Sequence, residues 1–385
     1  MATVRKLKRA RDAIATIRDV AALADVSTAT VSNVLSGSRY VGPERRGRVK
    51  EAIDQLGYRP NGIAASLRSQ RTRIIGIVVP DITNSFFAGV VQRVEQLAAG
   101  SGYQIILVSS NEDPELENER INALLSRRVD GLIVLPVGDA FEMLAEIRAQ
   151  GVDTVVVDRA GDLDDIDTIA ADNNSAAQEG TRHLVDLGHR DIALVVSSTD
   201  LGNIQERIAG YRAALAEAGL GDRARVVAGG ITVASNRVAV TECLSRRPRP
   251  TALFAATNIV ALGAIHAIRD LNLEFPEEIS LLGFDDFEWM TVLKPYVSSI
   301  RQPTEEMAAL AWSLLTDRLA GKRDTVARLR LPCTLCARES TVRLPSGRGQ
   351  VDPRRPAERI GGAASPPGRQ GGGGKHHRRA AGRRG

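Results

Sequence analysis

Cysteine is scarce in this chain, and the scarcity removes several classes of protein. Cys243, Cys333 and Cys336 are its three thiols, an odd number that argues against a disulfide framework and for a reducing compartment. Cys333 and Cys336 form a lone CxxC, whereas a zinc site needs four ligands, and no second Cys or His pair stands at suitable spacing. His376 and His377 are adjacent in a Gly- and Arg-rich stretch and amount to an adventitious metal contact at most. No metal and no cofactor are expected. A phosphate-cradling glycine loop, a GxSxG elbow and a His-containing metal cluster are all missing, so the chain does not read as an enzyme. His183 and His189 flank LVDLG and read as structural. No run of 18 or more apolar residues occurs, and the opening MATVRKLKRARDA lacks the apolar core of an export signal. Neither insertion nor export is expected, and the cytoplasm is the expected compartment.

What is present is a segregated charge. Residues 1–73 hold 15 Lys+Arg against 6 Asp+Glu, a net of +9, and residues 346–385 hold 10 against 2, a net of +8. The remaining 74–345 carry 26 against 38, a net of −12. Basic ends suit a polyanion, while an acidic body should stand off from one. At 385 residues the chain exceeds one typical domain.

The first basic region contains TIRDVAALADVSTATVSNVL, Thr16 to Leu35. Thr16 with Asp19 has capping-box spacing, and Val20, Ala21, Leu23 and Ala24 give one apolar stripe, so a helix should start beside Thr16. Asp25 and Val26 make a turn. Ser27 caps a second helix, whose Val31, Val34 and Leu35 face the first. Thr28, Ala29, Ser32 and Asn33 are left outward, a stripe with chemistry for base edges: Asn bonds adenine bidentately, and Ala and Thr methyls meet a thymine methyl. An ordinary helical hairpin with a polar face fits these residues too. Arg45, Arg46, Arg48 and Lys50, clustered on a third helix opening at Pro43, tip the balance towards a helix-turn-helix whose second helix reads DNA.

The order TIxDVAxxA, VSxxTVSxVL, a third helix ending LGYRPN and then IAxSL resembles the LacI/GalR family of bacterial transcription regulators, with the likeness running from about residue 15 to 341. The family's turn carries Gly where this chain has Asp25, one of the few residues that tolerate a left-handed backbone. The resemblance implies DNA contacts at Thr16, Ser27, Thr28, Ala29, Thr30, Ser32 and Asn33. It also implies that Asn61 to Arg68 is a hinge helix formed on DNA, with contacts from Asn61, Ala64, Leu67 and Arg68 and with Leu67 wedged into the minor groove. Eight residues are too few for a stable isolated helix, and Gly62 costs roughly 1 kcal/mol relative to Ala, which suits a segment ordered only by its partner. A plain interdomain linker is the alternative.

From Arg73 the pattern changes to short β-rich apolar runs alternating with helical stretches, a parallel-sheet signature. The runs are 74–79, 103–109, 130–135, 154–158, 191–196, 225–229, 251–255 and 278–284, and the later helices fall at about 203–218, 235–246 and 259–270. Two similar α/β lobes are implied. Ligands in open parallel sheets sit beyond the carboxyl ends of the strands. There the chain has Asp81, Asn84, Phe86 and Phe87, then Asp158 and Arg159, Arg207 opening RIAGY, Thr257 and Asn258, and Asp285. Each has a plain explanation singly, as loop residue, salt-bridge partner or core. Together they resemble the cleft of the periplasmic pentose- and hexose-binding proteins. That resemblance puts Asn84, Phe86 and Phe87 at a sugar ring, Asp158 and Arg159 on hydroxyls, and Arg207 and Asp285 on the effector. Thr257 and Asn258 depart from the family's Asn followed by Asp, so a pentose, a hexose or a nucleoside-like ligand all remain open.

The expected architecture is therefore α/β. A small all-α helix-turn-helix head (16–60) follows a basic, disordered N-terminal extension (1–15), and a hinge (61–72) joins it to a two-lobed periplasmic-binding-protein-like core with parallel sheets (73–345). A disordered basic tail (346–385) follows and cannot form a coiled coil. The expected function is a sequence-specific DNA-binding regulator, a repressor controlled by a sugar-like effector, with double-stranded pseudo-palindromic DNA and a second copy of the chain as partners. A nucleoside- or purine-like co-repressor, or activation in place of repression, is the alternative, and a pure sugar-binding protein is a weaker one.

Overall fold

In a computed structural model the described residues are 15–37, 39–59, 71–138, 142–159, 161, 163–292 and 294–344. Most of the N-terminal extension, the hinge segment and the tail lie outside them, and with them Asn61, Ala64, Leu67 and Arg68.

The head is three helices, α1 (Ile17–Leu23), α2 (Thr28–Ser36) and α3 (Pro43–Leu56). Asp19 starts α1 by accepting hydrogen bonds from the Thr16 amide (2.8 Å) and hydroxyl (2.6 Å). Asp25, in the turn, adopts φ +50°, the left-handed conformation expected where the family has Gly. Ser27 Oγ accepts from the Thr30 amide at 3.1 Å and caps α2. Val20, Ala21, Ala24, Val31, Val49 and Ala52 form the head's core. Leu23 and Leu35, expected in the apolar stripes, are instead 50% and 38% exposed, because Val20 with Ala24, and Val31, already fill the short contact between helices.

The body begins at β1 (Ile74–Val79) and continues through α4 (Ser85–Gly100), β2 (Gln104–Ser109), α5 (Pro114–Ser126), β3 (Gly131–Val134), α6 (Glu142–Ala149), β4 (Asp153–Val157) and β5 (Asp167–Ala171). Next come α7 (Asn173–Asp186), β6 (Ile192–Val196), α8 (Gly202–Glu217), β7 (Arg225–Ala228), α9 (Val233–Ser245), β8 (Ala252–Ala255), α10 (Asn258–Asp270) and β9 (Ser280–Phe284). The chain closes with β10 (Ser298–Arg301), α11 (Thr304–Leu319), β11 (Arg328–Leu331) and β12 (Thr334–Cys336).

Two six-stranded sheets result, in the orders β11-β5-β4-β3-β1-β2 and β12-β10-β9-β8-β6-β7. The first is parallel throughout, with Ile75 opposite Ile105 and Gly131. The second is parallel except for β12, which runs against β10. Each sheet is covered on both faces, as buried parallel sheets require. In the first lobe Ile75, Ile77 and Val79 pack with α4 and α11 on one face, and Val78 packs with Ile121 and Leu124 of α5 on the other. The second lobe repeats the arrangement around Leu194 and Phe254 on one face and Val195 and Leu253 on the other.

The chain passes between lobes three times, from β5 into α7, from β10 into α11 and from β11 into β12. These passages are fastened by buried polar contacts. Asp167 pairs with Arg318 of α11 (Nη2 to Oδ1 2.9 Å) and accepts from the Ala327 amide at 2.7 Å, which seats β11 beside β5. After β12, residues 340–344 strap across the second lobe. The Ser298 amide donates to Ser340 Oγ at 2.7 Å, and that hydroxyl donates to the Leu281 carbonyl at 2.6 Å. His189, 1% exposed, holds the end of the strap. Its Nε2 faces the Val342 carbonyl at 3.1 Å and so carries the proton, leaving Nδ1 to accept from the Thr251 hydroxyl at 2.9 Å. His183 Nε2 meets Thr341 Oγ1 at 2.9 Å, so both histidines serve the strap.

Burial pushes the His189 pKa down to about 4 from 6.5. The unfolded chain takes up a proton near pH 6.5 that the folded chain refuses until about pH 4. This contribution is therefore complete above pH 6.5 and is lost on acidification through that window, by up to about 3 kcal/mol. Urea unfolding at a series of pH values should show the parent losing this increment relative to His189→Gln between pH 7 and 4. A constant gap between the two proteins would mean that His189 takes up its proton equally readily in the folded and unfolded chains.

Candidate functional site

Two regions gather the polar residues singled out in the sequence. On the head, Thr28 and Ala29 are exposed at the start of α2, and Thr30, Ser32 and Asn33 are half-buried beside them. Arg45, Arg46 and Lys50 of α3 are exposed, and Arg48 lies 3.6 Å from Asp25 across the turn. Thr16 spends its hydroxyl proton on Asp19, so its visible role is to start α1. Tyr40, 88% exposed in the segment between α2 and α3, was not expected; as an isolated residue in a loop it sits on no periodic face.

The second region is a cavity of about 310 Å³ between the lobes, whose lining includes Asp81, Asn84, Asn111, Glu112, Arg159 and Thr257. Asp81 accepts from the Thr83 amide (2.8 Å) and hydroxyl (2.7 Å) in the loop after β1. Asn84 caps α4 by accepting from the Phe86 amide at 3.1 Å. Its Oδ1 also accepts from Asn258 Nδ2 at 2.9 Å, a bond that joins the lobes. Asn203 of α8 reaches back to Asp158 of the first lobe, with Nδ2 3.2 Å from Oδ2, and Arg330 pairs with Glu206 at 2.8 Å.

Behind the lining lies a buried charge cluster. Asp158 follows β4 and Asp285 follows β9, both in the left-handed region at φ +75° and +73°, a conformation that residues other than Gly hold mostly where surrounding structure imposes it. Arg207 sits 2% exposed, its guanidinium 3.5 Å above the Phe284 ring centroid. Its Nε donates to Asn173 Oδ1 at 2.9 Å and its Nη1 to the Ala256 carbonyl at 2.5 Å. Burial lowers the Arg207 pKa, opposed by the fields of Asp285 and Asp158. The same burial raises Asp158, opposed by Arg159 and Arg207, and raises Asp285, opposed by Arg207. Asp285 accepts from Gln302 Nε2 at 2.6 Å and from the Asn258 amide at 3.2 Å.

Arg159 is occupied. It forms a fork-to-fork pair with Glu112 (2.8 and 2.9 Å) and donates to the Pro136 and Val137 carbonyls at 3.2 and 2.8 Å. Behind it Glu117 accepts from the Val137 amide at 2.9 Å, and burial raises its pKa to about 7.

Eight of the ten residues expected in the cleft are thus brought together: Asp81, Asn84, Asp158, Arg159, Arg207, Thr257, Asn258 and Asp285. Phe86 and Phe87 do not line the cavity, although the Phe87 ring backs it, its centroid 5.8 Å from the guanidinium carbon of Arg159. They are 5% and 3% exposed and pack edge-to-face in the first lobe's core with Val90 and Val94, because the first turn of α4 points its apolar stripe at the sheet. The cavity's apolar lining is aliphatic instead, from Leu201, Ile231 and Ile259. Glu112, Asn173, Asn203 and Gln302 were missed. Glu112 stood at the end of a recognised strand, where the strand-end rule could have found it.

Residues 72–339 match the family of periplasmic binding proteins and the sugar binding domain of the LacI family, and residues 16–61 match the bacterial regulatory proteins of the lacI family. The chain belongs to the LacI family. Catabolite control protein A of Priestia megaterium is 34% identical over 328 residues, 85% of this chain and 99% of that protein. The ribose operon repressor of Haemophilus influenzae is 32% identical over 332 residues, 86% of this chain and 100% of that protein. The structure of the lac repressor dimer bound to operator and the anti-inducer ONPF superposes with a TM-score of 0.78 at 26% identity, covering 86% of this chain and all of that one. As a LacI-family protein the chain is a DNA-binding transcription regulator with an effector-binding body.

The LacI-type body depends on a close approach of α7 and α8, which carry Asn173, Asn203 and Arg207. A Cβ at Gly210 would overlap the backbone carbonyl of Asn174. Gly210→Ala should therefore part the two helices and cost at least about 1–3 kcal/mol in urea unfolding. An unchanged midpoint would show that α8 can shift without cost.

Proposed function

We propose that this regulator is a cytoplasmic, non-enzymatic repressor that binds a pseudo-palindromic operator as a homodimer and is released from it by a small sugar-like effector in the interlobe cleft. The observation that carries the reading is the set of hydrogen bonds that join the lobes beside the polar cavity, Asn258 to Asn84 and Asn203 to Asp158, in a chain that also carries a LacI-type head. A ligand held by both faces of such a cleft favours one closure state over the other. Two relatives support a sugar: one is named a ribose operon repressor, and the transcriptional regulator CelR, whose cellobiose complex superposes with a TM-score of 0.64 at 32% identity over 85% of this chain and 99% of that one, holds a sugar. Relatives named transcriptional repressor PurR, such as that of Vibrio campbellii at 34% identity, keep a purine-like co-repressor as the second reading.

The chain divides for this purpose into the head at 16–60, the hinge at 61–72 and the body at 73–345. Ser27, Thr28, Ala29, Thr30, Ser32 and Asn33 meet the major groove, and Thr16 holds the start of the first helix. Asn61, Ala64, Leu67 and Arg68 form the hinge contacts.

A thermal-shift screen of pentoses and hexoses tests the cleft. A ligand at 100 times its dissociation constant should add about 2.7 kcal/mol of stability, and Asp158→Ala and Arg207→Ala should abolish the gain. The same ligand must shift operator affinity in fluorescence anisotropy, and a cleft ligand that leaves it unchanged defeats the proposal.

On the DNA side, Asn33→Ala should cost about 1–3 kcal/mol at its preferred base and relax the preference there. Leu67→Ala should lower both operator affinity and the DNA bend seen in gel mobility. Full affinity and bending in Leu67→Ala would remove the wedge.

A further inference from the structure

The atoms left without a hydrogen bond around the cleft have a bias. Four buried side-chain atoms there have no partner among the described residues: Asn203 Oδ1, Asn258 Oδ1, Gln302 Oε1 and Arg159 Nε. Three are acceptors and one is a donor. The amide orientations are fixed by chemistry, because each amide nitrogen is already committed to an oxygen: Asn203 to Asp158, Gln302 to Asp285, and Asn258 to the Asn84 oxygen that caps α4. Turning any of these amides over would set oxygen against oxygen. The three residues are 4–8% exposed and stand behind the cavity's lining, so their free carbonyl oxygens are out of reach of bulk water and call for a donor, from an ordered water or from a ligand that reaches the inner end of the cleft.

Charge has the same bias. The Arg159 guanidinium is neutralised by its fork-to-fork pair with Glu112. Arg207 feels both Asp158 and Asp285, so its single positive charge is outnumbered, and Asp81 adds a further carboxylate to the lining. A phosphate or carboxylate on the ligand would enter a buried site where the carboxylates of Glu112, Asp158, Asp285 and Asp81 outnumber the guanidinium groups of Arg159 and Arg207. Among the described residues the cavity's apolar lining is aliphatic, and the Phe87 ring lies behind Arg159, its centroid 5.8 Å from the guanidinium carbon, so no described aromatic face lines the cavity to stack on a flat base.

Resting on the reading of the cleft as a sugar-type effector site, we propose that it selects an unphosphorylated, donor-rich polyol, accepting an amino substituent and rejecting an anionic one. The Glu112–Arg159 pair sets this charge selectivity, since Glu112 cancels Arg159, the one cation among the described residues that line the cavity.

Isothermal titration calorimetry with matched sets decides it: D-ribose with ribose 5-phosphate, and D-glucose and D-galactose each with the 2-amino sugar and the 6-phosphate. Whichever parent sugar binds, its phosphate ester should bind at least 100-fold more weakly and its amino form no more weakly. In Glu112→Gln, which uncovers the Arg159 charge while keeping a hydrogen-bonding side chain, the ester's affinity should rise at least tenfold relative to the parent sugar's. An ester that binds the unaltered protein as tightly as its parent overturns the inference. So does an unchanged ratio in Glu112→Gln, which would take the selectivity away from the Glu112–Arg159 pair. A phosphate ester binding where no parent sugar does would overturn it while leaving the cleft as an effector site. Silence across the whole panel would instead refute the sugar reading on which it rests.

Discussion

The buried guanidinium of Arg207 is the group around which the body is arranged. A cation that deep is costly unless its surroundings replace the water it has lost. The replacement comes from several directions: the Phe284 face, the oxygens of Asn173 and Ala256, and the fields of Asp285 and Asp158. All but the last belong to the second lobe. Asp158 stands at the end of β4 in the first lobe and is also the acceptor for Asn203 across the cleft. Part of the compensation of Arg207 is therefore delivered only when the lobes are together, which makes lobe closure and the electrostatics of this one side chain a single variable. A ligand whose hydroxyls bridge the same groups acts on that variable directly.

The size of the required effect is bounded. Moving a two-state equilibrium from 99:1 to 1:99 takes about 5.5 kcal/mol of differential affinity. Hydrogen bonds to charged groups contribute roughly 1.5–3 kcal/mol each, so two to four bonds made in one closure state alone are enough. Asp158, Asp285, Arg207 and the three free amide oxygens exceed that number of partners. The cleft does not need an extensive interface to work as a switch; it needs bonds from both faces to one small molecule.

Much of this arrangement is legible in the sequence because parallel sheets are punctuated by it. Eight apolar runs mark eight strands to within two residues at each end, and the polar residues just after them include Asp81, Asp158, Arg159 and Asp285. The strands that escape notice, β5 as DTIAA, β10 as SSIR, β11 as RLRL and β12 as TLC, are short, mixed in polarity and placed by partners distant in sequence. Asp167, for example, reaches Arg318 to seat β11. Gln302 was hidden for the same reason, since the strand before it was. Phe86 and Phe87 show the opposite limit. Residue type and motif put aromatics at the mouth of the cleft, but the rotation of the first turn of α4 puts both rings in the core, with Phe87 backing Arg159 from below the cavity, and rotation is set by packing against the sheet. Bonds between lobes, such as Asn203 to Asp158, have no local signature at all.

Charge then decides how closure of the body can be felt on DNA. The first 73 residues carry a net of +9, residues 74–345 a net of −12 and residues 346–385 a net of +8, so the body offers no net electrostatic attraction to phosphate and electrostatic affinity for DNA must come from the basic ends of the chain. One small three-helix head supplies only modest affinity and reads only one half-site. In the proposed homodimer, two heads tied to one body gain through effective concentration, which depends on how well their separation matches the spacing of the half-sites. A change in that separation weakens binding without altering a single contact between either head and its bases. An acidic body makes this form of control effective, because with the heads displaced nothing else on residues 74–345 holds the protein to the duplex.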